Sequence, residues 1–218
     1  MISIFLPLLV GCAGLMLRLR RRLIPELLRL AQVDALSGVY NRRAFMETAQ
    51  SLLSRAMQSE QPMALALIDV DHFKQINDTY GHDAGDQGIR RVAELLRASV
   101  RSTDLVGRLG GDEFVILVKL PGDKATAMFE RTLALVSATD MQIAEDVPVM
   151  VTLSMGVMAS DSHAGYELTA LMTAADAALY VAKDRGRAQV VNLELEAQRS
   201  RAGLRPRPRV GEWQVRSG

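Results

Sequence analysis

An uninterrupted apolar run, Met63-Ala64-Leu65-Ala66-Leu67-Ile68, ends abruptly at Asp69 and constrains the fold more than any other feature. A run of this length without polar alternation is typical of a strand that is buried on both faces of a sheet. Such a strand needs helices on both sides, which indicates an α/β or α+β domain with a mixed sheet. Asp69 then lies at the carboxyl end of a central strand, where the ligand sites of open sheets are found.

Periodic patterns on either side of this run predict the remaining elements. We expect helices over residues 41–55, 89–100, 125–138 and 168–183, and further strands over 105–109, 114–118, 147–158 and 188–191. Residues 72–78 predict a short turn or helix, and the Gly- and Asp-rich residues 81–86 predict a loop. Gly110-Gly111 is predicted as a tight two-residue turn between two strands of a hairpin.

Charge is distributed unevenly along the chain, whose formal net charge is +1. Residues 1–30 carry five Arg and one Glu and residues 199–218 carry six Arg and one Glu, which leaves residues 31–198 with a net charge of −8. So acidic a middle argues against a nucleic-acid-binding surface. The single cysteine, Cys12, excludes an intramolecular disulfide framework and a thiolate zinc site.

The N-terminal segment has the pattern of a membrane span. Residues 2–17 carry no charge and are followed by Arg18, Arg20, Arg21 and Arg22, so the positive-inside rule places the remainder in the cytoplasm. We predict that residues 1–17 are an apolar segment of the inner membrane; if they are not a true span, the protein is cytoplasmic. The last span of a longer sensor remains an open alternative, and a lipoprotein cleavage box at residues 9–12 is a weaker one.

The segments that flank the main domain have simpler patterns. Residues 18–33 are predicted as a connector or dimerisation helix, because Leu23, Leu27, Leu30 and Val33 follow helical or heptad spacing. Residues 193–218 are predicted as a disordered basic tail, since residues 199–218 contain Arg-Pro-Arg-Pro-Arg and no apolar period. A tail that binds nucleic acid or lipid is the alternative.

Acidic residues occur at two places that a sheet can bring together. Asp69 and Asp71 follow the buried strand, and Asp112 and Glu113 lie at the predicted hairpin tip. If the hairpin lies beside the strand, Asp69 and Asp112 or Glu113 form a cluster of hard oxygen ligands of the kind that holds Mg²⁺ beside a phosphate. Taken alone, Asp69-Val70-Asp71 favours a plain turn at the end of a strand. A Walker A loop is excluded, because the chain has no Gly-Lys dipeptide.

Motifs spread over residues 34–192 together resemble the GGDEF family of diguanylate cyclases. The central motif, RLGGDEF at residues 108–114, contains all five signature residues. The others follow in family order: DALSGVYNRR at 34–43, DVDHFKQIND at 69–78, YGHDAGD at 80–86, AADAALY at 174–180 and AKDRGR at 182–187. Ser37 and Val39 stand where the family usually has Thr and Leu, and neither position should touch the chemistry.

The resemblance implies a palm-like nucleotidyl cyclase domain over residues 34–192, with a mainly antiparallel central sheet flanked by helices. It implies condensation of two GTP into cyclic di-GMP with release of pyrophosphate, by in-line attack of a 3′-hydroxyl on an α-phosphate with two Mg²⁺, or Mn²⁺, per site. The residues it implies are, for catalysis, Asp69, Asp112, Glu113 and Lys183; for metal, Asp69, the Val70 carbonyl, Asp112 and Glu113; and for substrate binding, Phe73, Lys74, Asn77, Asp86, Gly110, Gly111 and Arg187.

Each assignment has a structural alternative when it is taken singly. Lys183 and Arg187 are four residues apart and share a face if their helix continues that far, but they also match the basic residues that favour a helix C-terminus. Asn77 and Asp86, which match the family's guanine-reading residues, also match turn residues. The order of the motifs favours the functional reading.

Two further properties follow from the resemblance. Arg101 and Asp104 match an inhibitory Arg-x-x-Asp site for cyclic di-GMP; a local ion pair is the alternative. Since each half-site holds one GTP, catalysis requires a homodimer, and nucleic acid is not an expected partner. A non-catalytic module that binds cyclic di-GMP or GTP, and another nucleotidyl cyclase or polymerase-like palm domain, are the competing hypotheses.

Overall fold

The structure is a computed structural model that describes residues 32–144, 147–160 and 165–202. The chain divides into two units between Gln32 and Val33, and all elements described belong to the second. In chain order they are β1 (Tyr40–Asn41), α1 (Arg42–Gln58), β2 (Ala64–Val70), α2 (Phe73–Tyr80), α3 (His82–Ser99), β3 (Leu105–Gly110), β4 (Glu113–Val118), α4 (Gly122–Ser137), β5 (Met141–Ala144), β6 (Val147–Val149), β7 (Leu153–Ala159), α5 (Leu168–Asp184), β8 (Val190–Val191) and α6 (Leu193–Arg201).

Within the described ranges, the strands form a six-stranded sheet in the order β1-β3-β4-β2-β7-β8 and a separate pair, β5-β6. The four inner strands pair antiparallel, whereas the edge strands β1 and β8 pair parallel with their neighbours. The predicted mixed and mainly antiparallel sheet flanked by helices is therefore confirmed. The apolar run that ends at Asp69 forms β2, with a neighbour on each side.

Alternate residues of β2 belong to two different cores. Ala64, Ala66 and Ile68 pack in a cluster with residues of α3 and α4 on one face of the sheet. Leu65 and Leu67 pack with residues of α1 and α5 on the other face. Because side chains alternate along a strand, this double burial accounts for the absence of polar residues in the run.

The prediction of a loop over residues 81–86 is wrong for residues 82–86, which are helical. Gly81 alone changes the chain direction, with φ 84° and ψ 166°, and α3 begins at the next residue. One side of this helix is buried and includes Ala84, Gly85 and Ile89. Asp83 lies in the first turn, where its negative charge stabilises the positive end of the helix dipole. The segment predicted as turn or helix at residues 72–78 is the helix α2.

The single strand predicted over residues 147–158 is also wrong. Residues 147–149 pair with β5 as the strand β6, while the chain beyond Val151 joins the main sheet as β7 beside β2. The two pieces belong to different sheets, and an apolar pattern in one dimension does not separate them.

The predicted turn of the β3–β4 hairpin is displaced by one residue. Gly110 pairs with Glu113, so the two turn residues are Gly111 and Asp112, and a bulge lies between Arg108 and Gly110. Gly111 has φ 54°, a left-handed value that glycine adopts without steric cost. The hairpin itself was predicted correctly.

The disordered tail predicted from residue 193 is wrong for residues 193–201, which form α6. The Asn192 side chain caps this helix by accepting from the Leu195 amide (3.0 Å), and Glu196 forms an ion pair with Arg185 (2.9 Å). Leu193 packs against a small cluster that α5 and β8 share. Residues 203–218 lie outside the described residues.

Most of the predicted N-terminal segments also lie outside the described residues. The apolar segment 1–17 and residues 18–31 of the predicted connector are in this position. The last two residues of the connector, Gln32 and Val33, are described and are not helical. Val33 forms an isolated antiparallel bridge with Tyr40. Among the helices in the described ranges, none has the length and apolar character needed to cross a bilayer.

Candidate active site

Two carboxylates face each other where β2 and β4 meet. Asp69 lies one residue before the end of β2, and Glu113, the first residue of β4, is its partner in the antiparallel register. Directly paired residues project from the same face of a sheet. Since Leu65 and Leu67 face α1 and α5, Asp69 and Glu113 lie on that face too.

Lys183 in the last turn of α5 contacts Asp69, one member of this pair. Its Nζ donates to Oδ2 of Asp69 at 2.6 Å, and the Asp69 side chain is only 13% exposed. Burial raises the pKa of Asp69, the charges of Asp112 and Asp71 act in the same direction, and Lys183 only partly offsets them. The carboxylate therefore lies where additional positive charge would be stabilising.

The tip of the hairpin is fixed by two neighbours. The Val70 amide donates to the Asp112 carbonyl oxygen (3.2 Å), which ties the tip to the end of β2. Arg108 donates from Nε (2.9 Å) and Nη2 (2.6 Å) to the Gly111 carbonyl oxygen, and from Nη1 to Oδ1 of Asp34 (2.9 Å). A guanidinium suits this arrangement because its donors form a rigid planar fork.

The acidic residues of the strand end and the hairpin tip form an incomplete set of metal ligands. Asp69, Asp112 and Glu113 offer the hard oxygen atoms that suit Mg²⁺. No group of three or more His, Cys, Asp or Glu side chains in the described parts of the chain is arranged to hold a metal ion. The residues fit Mg²⁺ in donor chemistry, because this ion usually takes one or two carboxylates and completes its shell with waters and substrate phosphates.

The packing of α2 on α3 places Asn77 against the residue that precedes Asp86. A Cβ on Gly85 would lie 1.9 Å from Oδ1 of Asn77, so the amide of Asn77 lies directly against the Gly85 backbone. Asp86 is the next residue in the same turn of α3. A carboxamide and a carboxylate can together donate to and accept from the edge of a guanine base.

Phe73 and Lys74 form the first turn of α2, directly after His72, which has φ 58°. The Phe73 ring packs against the α3–α4 core, while Lys74 is exposed. The first amides of a helix have no acceptor within it, so they are available to an anion.

Arg187 is not on the same helix face as Lys183. The helix ends at Asp184, and Arg187 lies in the following turn with φ 65°, where its amide donates to the Ala182 carbonyl oxygen (3.0 Å). Lys183 and Arg187 could share a helix face only if the helix continued to residue 187. The chain instead leaves the helical conformation, and Gly186 has φ 103°. Arg187 is nevertheless exposed, and it lies four residues beyond Lys183 in the sequence.

Arg101 and Asp104 lie in the turn between α3 and β3. The Arg101 amide donates to Oδ2 of Asp104 (3.0 Å), and the Asp104 amide donates to the Arg101 carbonyl oxygen (3.0 Å). The two residues are thus joined through the Arg101 backbone rather than its guanidinium, which is exposed.

The sequence interpretation gave no role to three residues that shape this region. Gly85 sets the position of Asn77, Arg108 fixes the hairpin tip, and the buried Asp71 accepts hydrogen bonds from two hydroxyls and an amide. Arg108 and Asp71 lie inside the quoted motifs, so their place in the sequence was the available signal. Their contacts are with residues distant in sequence.

Comparisons with known proteins identify the family to which the chain is similar. The family model described as diguanylate cyclase, GGDEF domain, matches residues 31–189. Diguanylate cyclase DosC of Escherichia coli is 37% identical over 159 residues, which covers 72% of this chain and 34% of DosC. YhcK of Bacillus subtilis is 38% identical over 164 residues, which covers 73% of this chain and 45% of YhcK. The chain therefore spans less than half the length of these two relatives.

Solved structures show the same fold. The GGDEF domain of TpbB, also named YfiN, from Pseudomonas aeruginosa has a TM-score of 0.71 at 32% identity and covers 78% of this chain and 99% of its own. The coiled coil and GGDEF domain of DgcB from Caulobacter crescentus, solved in complex with c-di-GMP, has a TM-score of 0.69 at 28% identity and covers 86% of this chain and 98% of its own. On the match of residues 31–189 and these likenesses, the chain belongs to the diguanylate cyclase GGDEF domain family.

Proposed function

We propose that the chain is an active diguanylate cyclase that converts two GTP into one cyclic di-GMP and two pyrophosphates. The observation that carries the proposal is the meeting of Asp69, Glu113 and the Lys183 ammonium at one end of the central sheet. Two carboxylates and an ammonium at a strand end suit the transfer of a nucleotidyl group. The intact signature residues 110–114 favour catalysis over a module that only binds nucleotide.

Basic groups around this pair would bind the triphosphate. Lys183 already donates to Asp69, and the same ammonium has two further protons for a phosphate oxygen. Arg187 and Lys74 are exposed on the turn after α5 and on the first turn of α2. With the amides near Phe73, they would hold the phosphates while the α-phosphorus faces the incoming hydroxyl.

Asn77 and Asp86 would select guanine. The Asp86 carboxylate would accept from N1–H and the N2 amino group, which adenine does not present. A site built to pair with these donors rejects a base that lacks them, because its own polar groups are then left without partners.

Asp69, Asp112, Glu113 and the Val70 carbonyl would hold two Mg²⁺ ions, or Mn²⁺. When bound, the ions would lower the pKa of the 3′-hydroxyl and neutralise the charge on the leaving pyrophosphate. Glu113 lies opposite Asp69 and is exposed, so its carboxylate is within reach of solvent and substrate. We assign it a second role as acceptor of the 3′-hydroxyl proton. Gly110 and Gly111 have open space where a Cβ would lie, which leaves room for the nucleotide.

Catalysis would require two copies of the domain, since each holds one GTP and the two substrates must meet antiparallel. We assign residues 34–192 to the catalytic domain and residues 18–33 to a connector that supports pairing. Attachment to the inner membrane through residues 1–17 stays a prediction. The catalytic domain would work in the cytoplasm, where GTP and Mg²⁺ are available.

The first test is chromatography of the products after the purified chain is incubated with GTP and Mg²⁺. We expect cyclic di-GMP from the parent chain and at least about a hundredfold less from Asp112→Asn, because the amide cannot replace the charge of a metal ligand. Asp123→Asn, which alters an exposed carboxylate in α4, is the matched control and should retain activity. Chelation of the metal should stop the reaction in every variant.

The contrary result is equally informative. If neither the chain nor a fusion to a dimerising coiled coil forms product, the cyclase proposal is wrong. Calorimetry with cyclic di-GMP would then test the binding module, and turnover of ATP in preference to GTP would indicate another nucleotidyl cyclase.

Product inhibition through Arg101 and Asp104 is a separate part of the proposal. The exposed guanidinium of Arg101 has the donor geometry that phosphate and guanine acceptors require. We expect Arg101→Ala to raise the cyclic di-GMP concentration that halves the initial rate by roughly tenfold. An unchanged inhibition constant would remove this site from the proposal.

A further inference from the structure

Asp71 is a buried carboxylate for which the proposed chemistry gives no use. It follows β2 directly, and the residue is only 3% exposed. Its Oδ1 accepts from the Ser154 hydroxyl (2.7 Å), and its Oδ2 accepts from the Thr152 hydroxyl (2.7 Å) and the Ala188 amide (3.1 Å). Its own amide donates to the Thr152 carbonyl oxygen (2.9 Å). A carboxylate so enclosed is retained only if its hydrogen bonds are satisfied, and here they are.

The Ala188 amide belongs to a turn with an unusual backbone. Gly186, Arg187 and Ala188 have φ values of 103°, 65° and 47° in succession. Glycine adopts such values freely, but Arg187 and Ala188 carry a Cβ that disfavours them. Residues in this region persist where the surroundings hold them in place. The hydrogen bond from Ala188 to Asp71 is one such restraint, and the bond from the Arg187 amide to the Ala182 carbonyl is another.

We infer that Asp71 is a positioning residue, which holds the turn after α5 so that Arg187 is presented to the triphosphate. The inference rests on the proposed function. Asp71 is two residues from Asp69, and the amide it accepts from is adjacent to Arg187. Its carboxylate therefore joins the segment that carries the catalytic carboxylate to the segment that carries a phosphate-binding cation.

Two variants of Asp71 distinguish a role of its hydrogen bonds from a role of its negative charge. In Asp71→Asn, the remaining oxygen can accept from Thr152 and Ala188, while the amide group donates to the Ser154 hydroxyl, which also acts as an acceptor. Asp71→Ala removes every acceptor. A positioning role therefore predicts that Asn replaces Asp well and Ala does not, whereas a role for the negative charge predicts that both variants behave alike.

The experiment compares the affinity of the full chain for a non-hydrolysable GTP analogue with Mg²⁺ and for GMP, which lacks the β- and γ-phosphates. We expect Asp71→Ala to weaken analogue binding by about tenfold and GMP binding by less than about twofold, with Asp71→Asn within about threefold of the parent. Added to Arg187→Ala, the Asp71→Ala change should cause no further loss, because the group it positions is already absent. Asp78→Asn, an exposed carboxylate on α2, is the control for charge.

Three results would overturn the inference. The first is an equal loss of analogue affinity in Asp71→Asn and Asp71→Ala, and the second is a loss of GMP affinity in Asp71→Ala as large as its loss of analogue affinity. The third is a double variant, Asp71→Ala with Arg187→Ala, whose loss of analogue affinity is the product of the two single losses. If Asp71→Ala does not fold, Thr152→Val decides, since it removes a hydrogen bond from the same oxygen that holds Ala188 and leaves the charge in place. It should weaken the analogue and spare GMP, and unchanged analogue affinity would refute the role.

Failure of the proposed function gives a different pattern. A parent chain that neither binds GTP nor forms product contradicts the cyclase assignment. The anchoring of the turn is then judged by amide hydrogen exchange at residues 186–189, which should be faster in Asp71→Ala than in Asp71→Asn. Equal exchange in the two variants would contradict the anchor itself.

Discussion

Asp34 and Arg108 illustrate how single side chains connect distant parts of the domain. Asp34 lies where the chain begins the described domain, and Oδ1 accepts from the Ser37 amide (2.9 Å), the Ser37 hydroxyl (2.6 Å) and Arg108 (2.9 Å). Arg108 in turn holds the Gly111 carbonyl at the hairpin tip. The start of the domain is thus joined to the signature turn through one guanidinium.

This ion pair predicts a specific response to acid. Burial acts to raise the pKa of Asp34, but hydrogen bonds from Ser37 and Arg108 outweigh it, so the pKa is lowered from 3.8. A lowered pKa contributes stability above the ordinary value, and that stability is lost as pH falls through the lower, folded value. The difference in melting temperature between the parent and Asp34→Asn should stay constant at neutral pH and narrow below pH 3.8. A difference that does not vary with pH would contradict this account.

Gly85 predicts a change in base selectivity. Any Cβ at this position must displace the Asn77 amide, which it would approach to 1.9 Å. We expect Gly85→Ala to reduce the preference for GTP over ATP by about tenfold, because a displaced partner leaves the guanine edge unpaired. Competition binding with the two nucleotides measures this preference. Gln87→Ala, on an exposed position of the same helix, is the control, and equal selectivity in parent and Gly85→Ala would refute the role of Gly85.

These residues also show where the sequence stops being informative. Asp69, Asp112 and Lys183 were identified because a motif and the end of an apolar run mark them. Gly85 and Asp71 act through close approach and burial, which depend on residues from other elements. Sequence spacing carries no record of such contacts, so these roles required the folded chain.

At the scale of elements, α5 is placed by its close approach to β7. A Cβ on Gly156 would lie 2.0 Å from the Ala175 carbonyl oxygen and 2.2 Å from the Leu179 amide nitrogen. The helix backbone therefore rests directly on the strand backbone. This contact also sets the height of Lys183 above the sheet, since Lys183 lies one turn beyond Leu179.

Gly156→Ala should consequently affect both stability and activity. We expect a loss of about 3 kcal/mol in the free energy of unfolding, because a backbone cannot yield as a side chain does. Cyclase activity should fall as well, since α5 must shift and carry Lys183 away from Asp69. Urea unfolding and initial rates measure the two effects. Ala177→Ser, an exposed change on the same helix, is the control, and a variant as stable as the parent would contradict this packing.

Whether an element was predicted correctly depended on whether local sequence or tertiary contacts determine it. β2 and the β3–β4 hairpin were predicted correctly because burial on two faces and a glycine turn leave local patterns. The start of α3 was not, since Gly85 is a poor helix former that packing requires there. α6 was not predicted either, because its Asn192 cap and Leu193 contact depend on α4 and α5. Tertiary contacts decided each of these cases.

At the scale of the whole molecule, the sheet separates two cores and gathers the candidate chemistry at one of its ends. The α3–α4 core and the α1–α5 core enclose opposite faces of β2, and Asp69 lies where that strand ends. One described domain supplies one such site. The proposed reaction needs two, so its rate should depend on how often two copies meet.

The specific activity of the purified chain should therefore rise with enzyme concentration and level off where the dimer predominates. Fusion to a dimerising coiled coil should remove this dependence, because the second domain is then always present. Initial rates across several decades of enzyme concentration, with light scattering for mass, provide the measurement. Constant specific activity from a chain that light scattering identifies as a monomer would contradict the requirement for two copies.

The outermost strands of the main sheet, β1 and β8, are each two residues long. Long exposed edges present rows of unpaired amides and carbonyls on which another chain can add a strand, and such addition leads to aggregation. If the domain works as a pair of copies, as proposed above, it would meet this hazard at every encounter. Edge strands of two residues would give such a pair little backbone on which to add a further strand.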